Sequence, residues 1–255
     1  MKNFIEVTEL KKVFGNGEDE VHAFGPATIN INAGEFVSVL GPSGCGKSTL
    51  MLMVAGLLDS TSGKVEFENK LVNGPKTDIG IMFQDNTLVP WRTVRGNIEL
   101  QLELRGLNLK DYQEQINNIL KSVNLEDFAE RFPNELSGGM QQRAAFCQAM
   151  IHDPKIILLD EPLGKLDAMT REKIRADFQR LWMVKKPTVI FVTHSIEEAV
   201  QLSNRVILIT PRPGKIDREI KIDLPYPRDL KSQRSPKFTE YVNSIQEVFH
   251  KYGVI

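Results

Sequence analysis

The chain has 255 residues, 41% of them hydrophobic and 25% charged, with a formal net charge of −1. That size and composition suit one large α/β domain or a domain with a lobe inserted into it. The near-zero charge excludes bulk attraction to nucleic acid or anionic lipid. Two cysteines, Cys45 and Cys147, are too few for a disulfide framework and suit a reducing cytosol. Glu6 arrives before any apolar core can form, so no signal peptide is expected. No apolar run approaches the roughly eighteen residues of a membrane span, so a membrane role requires another chain to hold this one there.

In chain order, Ile5, Val7 and Leu10 are spaced for a strand, and Thr28–Ile31 alternates like a second one. The polar stretch Gly15–Glu20 reads as a loop between them. The apolar run Phe36–Leu40 then leads into Gly41-Pro42-Ser43-Gly44-Cys45-Gly46-Lys47-Ser48-Thr49, and a helix-like run to Leu58 leads out. Lys64–Glu68 reads as an edge strand and Ile79–Phe83 as a short buried parallel strand.

From about Thr93 to His152 the periodicity is helical. Val94, Ile98 and Leu102 mark one helix, and Ile116, Leu120 and Val123 a second. Ser137 can cap a third, through Ala144, Ala145 and Ala149, ending near Pro154. Ile156–Asp160 is an apolar strand, followed by a helix with Ile174, Phe178, Leu181 and Trp182 on one face. Thr188–Val192 is another buried strand, and Ser195-x-x-Glu198 is a capping box for the next helix. Val206–Ile209 is the last core strand, and a hairpin strand ends near Leu224. The tail closes with an amphipathic helix carrying Phe238, Tyr241, Val242, Ile245 and Phe249. We expect a core of about 1–86 and 154–224, a helical lobe of about 87–153, and a tail of about 225–255.

Three stretches carry chemistry. Gly41–Thr49 fits G-x-x-x-x-G-K-[ST], which matches by accident in roughly one chain in a hundred of this size. Its glycines let backbone N–H groups wrap a phosphate at a helix start. Lys47 reaches the β- and γ-phosphates and the Ser48 hydroxyl ligates Mg²⁺. Ile156–Leu159 followed by Asp160-Glu161 places two acids at the end of a buried strand. Asp160 suits Mg²⁺ held through water, and Glu161 suits polarising an attacking water. Leu136-Ser137-Gly138-Gly139-Met140-Gln141-Gln142-Arg143 opens a helix with bare N–H groups and a hydroxyl, a second anion-binding terminus.

With His194 following a strand, these motifs in this order resemble the ATP-binding subunit of an ABC transporter, from Phe4 to about Leu224. The resemblance implies a P-loop ATPase core with a mixed sheet, antiparallel N-terminal strands and an inserted helical lobe. It implies ATP and Mg²⁺ as cofactors and hydrolysis coupled to transport. Phe14 then matches the aromatic that stacks on adenine. Gln84 matches the glutamine that touches Mg²⁺ and the attacking water, and His194 the histidine at the γ-phosphate. Leu166-Asp167 matches the loop crossing the dimer interface. Two such subunits face each other head to tail, with each ATP between the phosphate loop of one and Ser137-Gly138-Gly139 of the other.

The implied partners are a second, identical ATP-binding subunit, transmembrane permease subunits and, indirectly, an extracytoplasmic solute-binding protein, with no nucleic acid. The implied location is the cytoplasmic face of the membrane, held peripherally. Leu88–Val94, Leu102–Gly106, Pro225–Asp229 and Ser235–Phe238 resemble the nitrate, sulfonate and taurine importer branch, which also serves bicarbonate and thiamine-precursor uptake. Trp91 falls where the family docks a permease helix. Two positions depart from the common pattern: Met140, frequent in this branch, and Lys165, where a small residue is usual.

Overall fold

A computed structural model describes residues 4–254, so the expectations for Met1–Asn3 and Ile255 lie outside the described residues. The elements follow in order: β1 (Ile5–Phe14), β2 (Val21–Ile31), β3 (Phe36–Leu40), α1 (Lys47–Val54), β4 (Ser62–Phe67), β5 (Lys70–Leu71), β6 (Ile79–Met82) and α2 (Val94–Glu103). Next come α3 (Gln113–Ser122), α4 (Gly138–Met150), β7 (Ile156–Asp160), α5 (Ala168–Lys185), β8 (Thr188–Thr193), α6 (Ile196–Leu202) and β9 (Arg205–Ile209). The chain closes with β10 (Ile216–Lys221), α7 (Leu230–Gln233) and α8 (Pro236–Lys251). Two compact units form, one from Met1–Lys76 with Thr188–Ile255 and one from Thr77–Pro187. No helix among the described residues is long and apolar enough to cross a membrane.

The first unit holds an antiparallel sheet ordered β2-β1-β4-β5. Lys64–Glu68, expected at an edge, is covered by β5 through Glu66↔Leu71 and Phe67↔Lys70. The covering strand has only two residues, too few to leave a pattern in the sequence. A mixed sheet lies in the same unit: β3 pairs in parallel with β8 and β9, and β10 returns antiparallel on β9. Every residue of β3 and β8 is buried, the pattern of a strand covered on both faces. Helix α1 stops at Val54, short of the expected Leu58, and Gly56 follows with φ +72°. Left-handed glycine at that point is the usual helix stop.

Helix α8 lays Phe238, Ile245, Val248 and Phe249 onto Ala199 and Val200 of α6 and Val206 and Leu208 of β9. Its apolar stripe finds a core in its own unit. The preceding turn is held by Arg228, 1% exposed, which donates to the carbonyls of Val200, Ser203, Ile222 and Leu224. Buried charge is tolerated there because the guanidinium's donors meet oriented carbonyl dipoles, with the Tyr226 ring 4.1 Å beneath it.

The second unit pairs β6 and β7 in parallel. Between Val94 and Met150 the chain forms helices and 3-10 turns with no strand among the described residues. Val94, Ile98 and Leu102 of α2 and Ile116 and Leu120 of α3 are buried, as their spacing predicts. Phe146 of α4 stacks on Phe178 of α5 at 4.1 Å.

Candidate active site

In the first unit the register sets the geometry. Leu40 of β3 pairs with Thr193 of β8, so Gly41 and His194 leave adjacent strand ends, about 5 Å apart in the pairing direction. Gly44 and Gly46 adopt φ +75° and +99°. A Cβ at Gly46 would collide with the Ala23 carbonyl of β2 besides requiring that φ, so glycine alone fits. The loop feeds into the first turn of α1 at Lys47, which is 4% exposed. The Lys47 ammonium reaches back across the loop to the Gly41 and Pro42 carbonyls, both at 2.9 Å. Ser48 lies exposed on the same turn. Left-handed glycines, a helix start and the Lys47 ammonium fit a polyphosphate, and the serine hydroxyl fits a hard cation.

Thr193 also organises the turn into α6. Ser195 Oγ accepts from Glu198 N at 3.3 Å, as a capping box requires. The return path runs through Thr193: its hydroxyl accepts from Ser195 N at 3.0 Å and donates to Glu198 Oε2 at 2.7 Å. His194, exposed, is therefore fixed between a buried strand end and a capped helix. In the same unit, Phe14 closes β1 and is 43% exposed.

In the second unit, Met82 pairs with Leu159, so exposed Gln84 follows the end of β6 and buried Asp160 is the last residue of the adjacent parallel β7. Glu161 has φ +43°, a left-handed conformation that costs a non-glycine residue roughly 1 kcal/mol or more. Ser137 caps α4, its hydroxyl accepting from Met140 N at 3.3 Å. Asp167 caps α5 by accepting from Met169 N and Thr170 N, and the Thr170 bonds hold its carboxyl below the usual carboxylate range. A Cβ on Gly139 would collide with Thr170, so the two helix starts lie side by side. Lys165 ion-pairs with Asp85 at 2.5 Å, tying the 163–167 loop to the loop that carries Gln84.

Trp91 is 78% exposed and borders an open groove of about 890 Å³ with Pro90, Asp127, Glu130, Phe132 and Glu135. Its loop is held from behind by Asn97, a residue that no sequence motif marks. Asn97 lies on the buried stripe of α2, accepts from Val89 N and donates to the carbonyls of Val89, Arg92 and Thr93. A polar residue amid Val94, Ile98 and Leu102 is the one signal of it that the sequence carries.

The phosphate loop and the paired acids after a buried strand define a nucleoside triphosphatase of the P-loop class. The family model described as ABC transporter matches residues 24–164. An aliphatic sulfonates import ATP-binding protein of Bacillus cereus is 38% identical over 98% of this chain and 98% of its own length. A taurine import ATP-binding protein of Jannaschia sp. is 43% identical over 86% of this chain and 84% of its own. A dimeric ATP-binding cassette in a post-hydrolysis state, bound to ADP and Pi, superposes with TM-score 0.75 at 35% identity, covering 86% of this chain and 98% of that one. The chain belongs to the ABC transporter family, as an ATP-hydrolysing, ATP-binding subunit.

Proposed function

We propose that the chain powers a membrane importer for a small solute, acting as a homodimer at the cytoplasmic face. The observation that carries this reading is that one chain holds two helix starts suited to phosphate, at Gly46-Lys47 and at Ser137–Gly139. A single bound triphosphate has no use for both starts if one chain forms the whole pocket, but a head-to-tail pair uses each once. The dimeric cassette at 35% identity supports pairing of two such chains.

In this reading Gly41–Thr49 binds the phosphates, with Lys47 neutralising charge at the β- and γ-positions. Phe14 stacks on the adenine. Ser48, Asp160 and Gln84 offer the oxygens for Mg²⁺, which when bound offsets the charge that develops on the phosphates. Glu161 accepts a proton from the attacking water, and its backbone conformation aims the carboxylate. His194 supports the γ-phosphate. Ser137, Gly138 and Gly139 complete the pocket from the second chain, and Asp167 lies in the loop that crosses between chains.

The exposed Trp91 and the groove beside it form the surface for a permease segment, in keeping with the enrichment of tryptophan at interface centres. An extracytoplasmic solute-binding protein would hand over the solute. Relatives that import aliphatic sulfonates and taurine favour a small sulfonate as that solute.

The test is Glu161→Gln in the subunit assembled with its permease. Turnover should fall on the order of a hundredfold or more, while ATP holds the variant as a stable dimer on size exclusion. Wild type inert with its permease and indistinguishable from Glu161→Gln would sink the enzymatic role of Glu161.

A further inference from the structure

Phe14 does not stand by itself. The Lys12 ammonium lies over its ring, 5.0 Å from the centroid. The same ammonium donates to the Asp59 carbonyl at 2.7 Å, so its place is held from a second direction. The Asp59–Thr61 segment is in turn stitched to β1. Thr61 Oγ1 accepts from Val13 N at 3.0 Å and donates to Val13 O at 3.2 Å, and Thr61 N donates to Lys11 O at 2.8 Å. Across the strand pair, Lys12 faces Phe24, whose Cβ stands 3.1 Å from where a side chain at Gly46 would begin. Lys12 and Phe14 thus sit on the strand pair that leans against the phosphate loop.

We propose that Lys12 determines how tightly the nucleobase is held, by occupying one face of Phe14 and leaving the other to the purine. This rests on the reading that Phe14 stacks on adenine. The physical basis is the ring quadrupole. A cation over one face draws on the negative potential of the π-cloud. The opposite face becomes less negative and a better partner for an electron-rich purine, which prefers offset stacking on such a surface. The anchored ammonium also restrains the ring, so less side-chain freedom is lost when the base binds.

The experiment measures the affinity of the purified full-length chain for ATP and for inorganic tripolyphosphate, by calorimetry, in four proteins. These are wild type, Lys12→Met, Phe14→Leu and the double variant. Lys12→Met should weaken ATP about two- to fivefold and leave tripolyphosphate unchanged. The same change in the Phe14→Leu background should have no effect on ATP. Equal loss of both ligands would make Lys12 a plain attractor of charge and overturn the proposal. Tighter ATP in Lys12→Met would show the ammonium blocking the stacking face, which overturns it equally. Phe14→Leu that binds ATP as wild type does would remove the stacking reading itself, an outcome distinct from failure of Lys12 alone. Lys12→Arg, which keeps a cation over the ring, should retain wild-type affinity, and a thermal melt confirms that each variant is folded.

Discussion

Asn97 is the residue on which the Trp91 loop depends. Its amide is fully buried and meets one N–H and three carbonyls of residues 89–93. Removing it leaves those groups short of partners in a place where water enters poorly, at about 1–3 kcal/mol. Asn97→Asp is the sharper change, because a carboxylate oxygen would then face three carbonyl oxygens. We expect Asn97→Ala to lower stability by about 2 kcal/mol and Asn97→Asp by more, with faster amide exchange at Val89 and weaker permease binding. ATP affinity of the chain should stay put, and urea titration with hydrogen exchange checks stability and exchange, with calorimetry for the nucleotide. At this scale the motif residues are legible in the sequence because each acts through local backbone, as Gly46 and Ser137 do. Lys12 over Phe14 is legible only in part: strand alternation puts residues 12 and 14 on one face, but not where a long flexible ammonium comes to rest. Lys165 on Asp85, a pair separated by 80 residues, is not legible.

Among elements, the ends of α2 and α4 and the entry to β6 are joined by one polar cluster. Arg105 near the end of α2 donates to the Gln101 carbonyl and reaches His152 Nε2 at 3.0 Å. His152 follows α4, and Gln115 of α3 donates to the neighbouring Ile151 carbonyl at 2.7 Å. Burial, and then the Arg105 charge, pull His152 from an ordinary value near 6.5 down to about 4. Protonation is therefore easier in the unfolded chain. Between those two values the unfolded state binds more protons, so stability falls as pH drops from about 6.5 towards 4. Partial exposure of the ring limits the effect to roughly 1–2 kcal/mol. His152→Gln should flatten that part of the pH profile, measured as unfolding free energy at several pH values. A slope that survives the substitution would assign it to other groups. The helices of this region are legible because apolar residues at 94, 98 and 102 and at 116 and 120 keep helical spacing. The two-residue β5 and the early stop of α1 are not, because tertiary pairing and one left-handed glycine decide them.

For the whole molecule the question is whether one chain contains a complete site. Ser137 is exposed and caps α4 through Met140 N, Gly138 beside it is exposed, and Gly139 packs against Thr170. Lys47, by contrast, is buried against its own loop carbonyls in the other compact unit. If the phosphate loop binds ATP by itself and Ser137–Gly139 acts only on a partner's nucleotide, the two functions separate by mutation. Ser137→Arg should cost about 1 kcal/mol of capping and fill the anion site with a bulky side chain. The monomer should bind ATP within about twofold of wild type, since a change of about 0.4 kcal/mol corresponds to that factor. In the Glu161→Gln background, where ATP should hold the dimer, Ser137→Arg should leave the chain monomeric by light scattering. Alone, it should abolish turnover with the permease. Normal hydrolysis by Ser137→Arg would mean that each chain closes its own site, and the second helix start would then need another ligand.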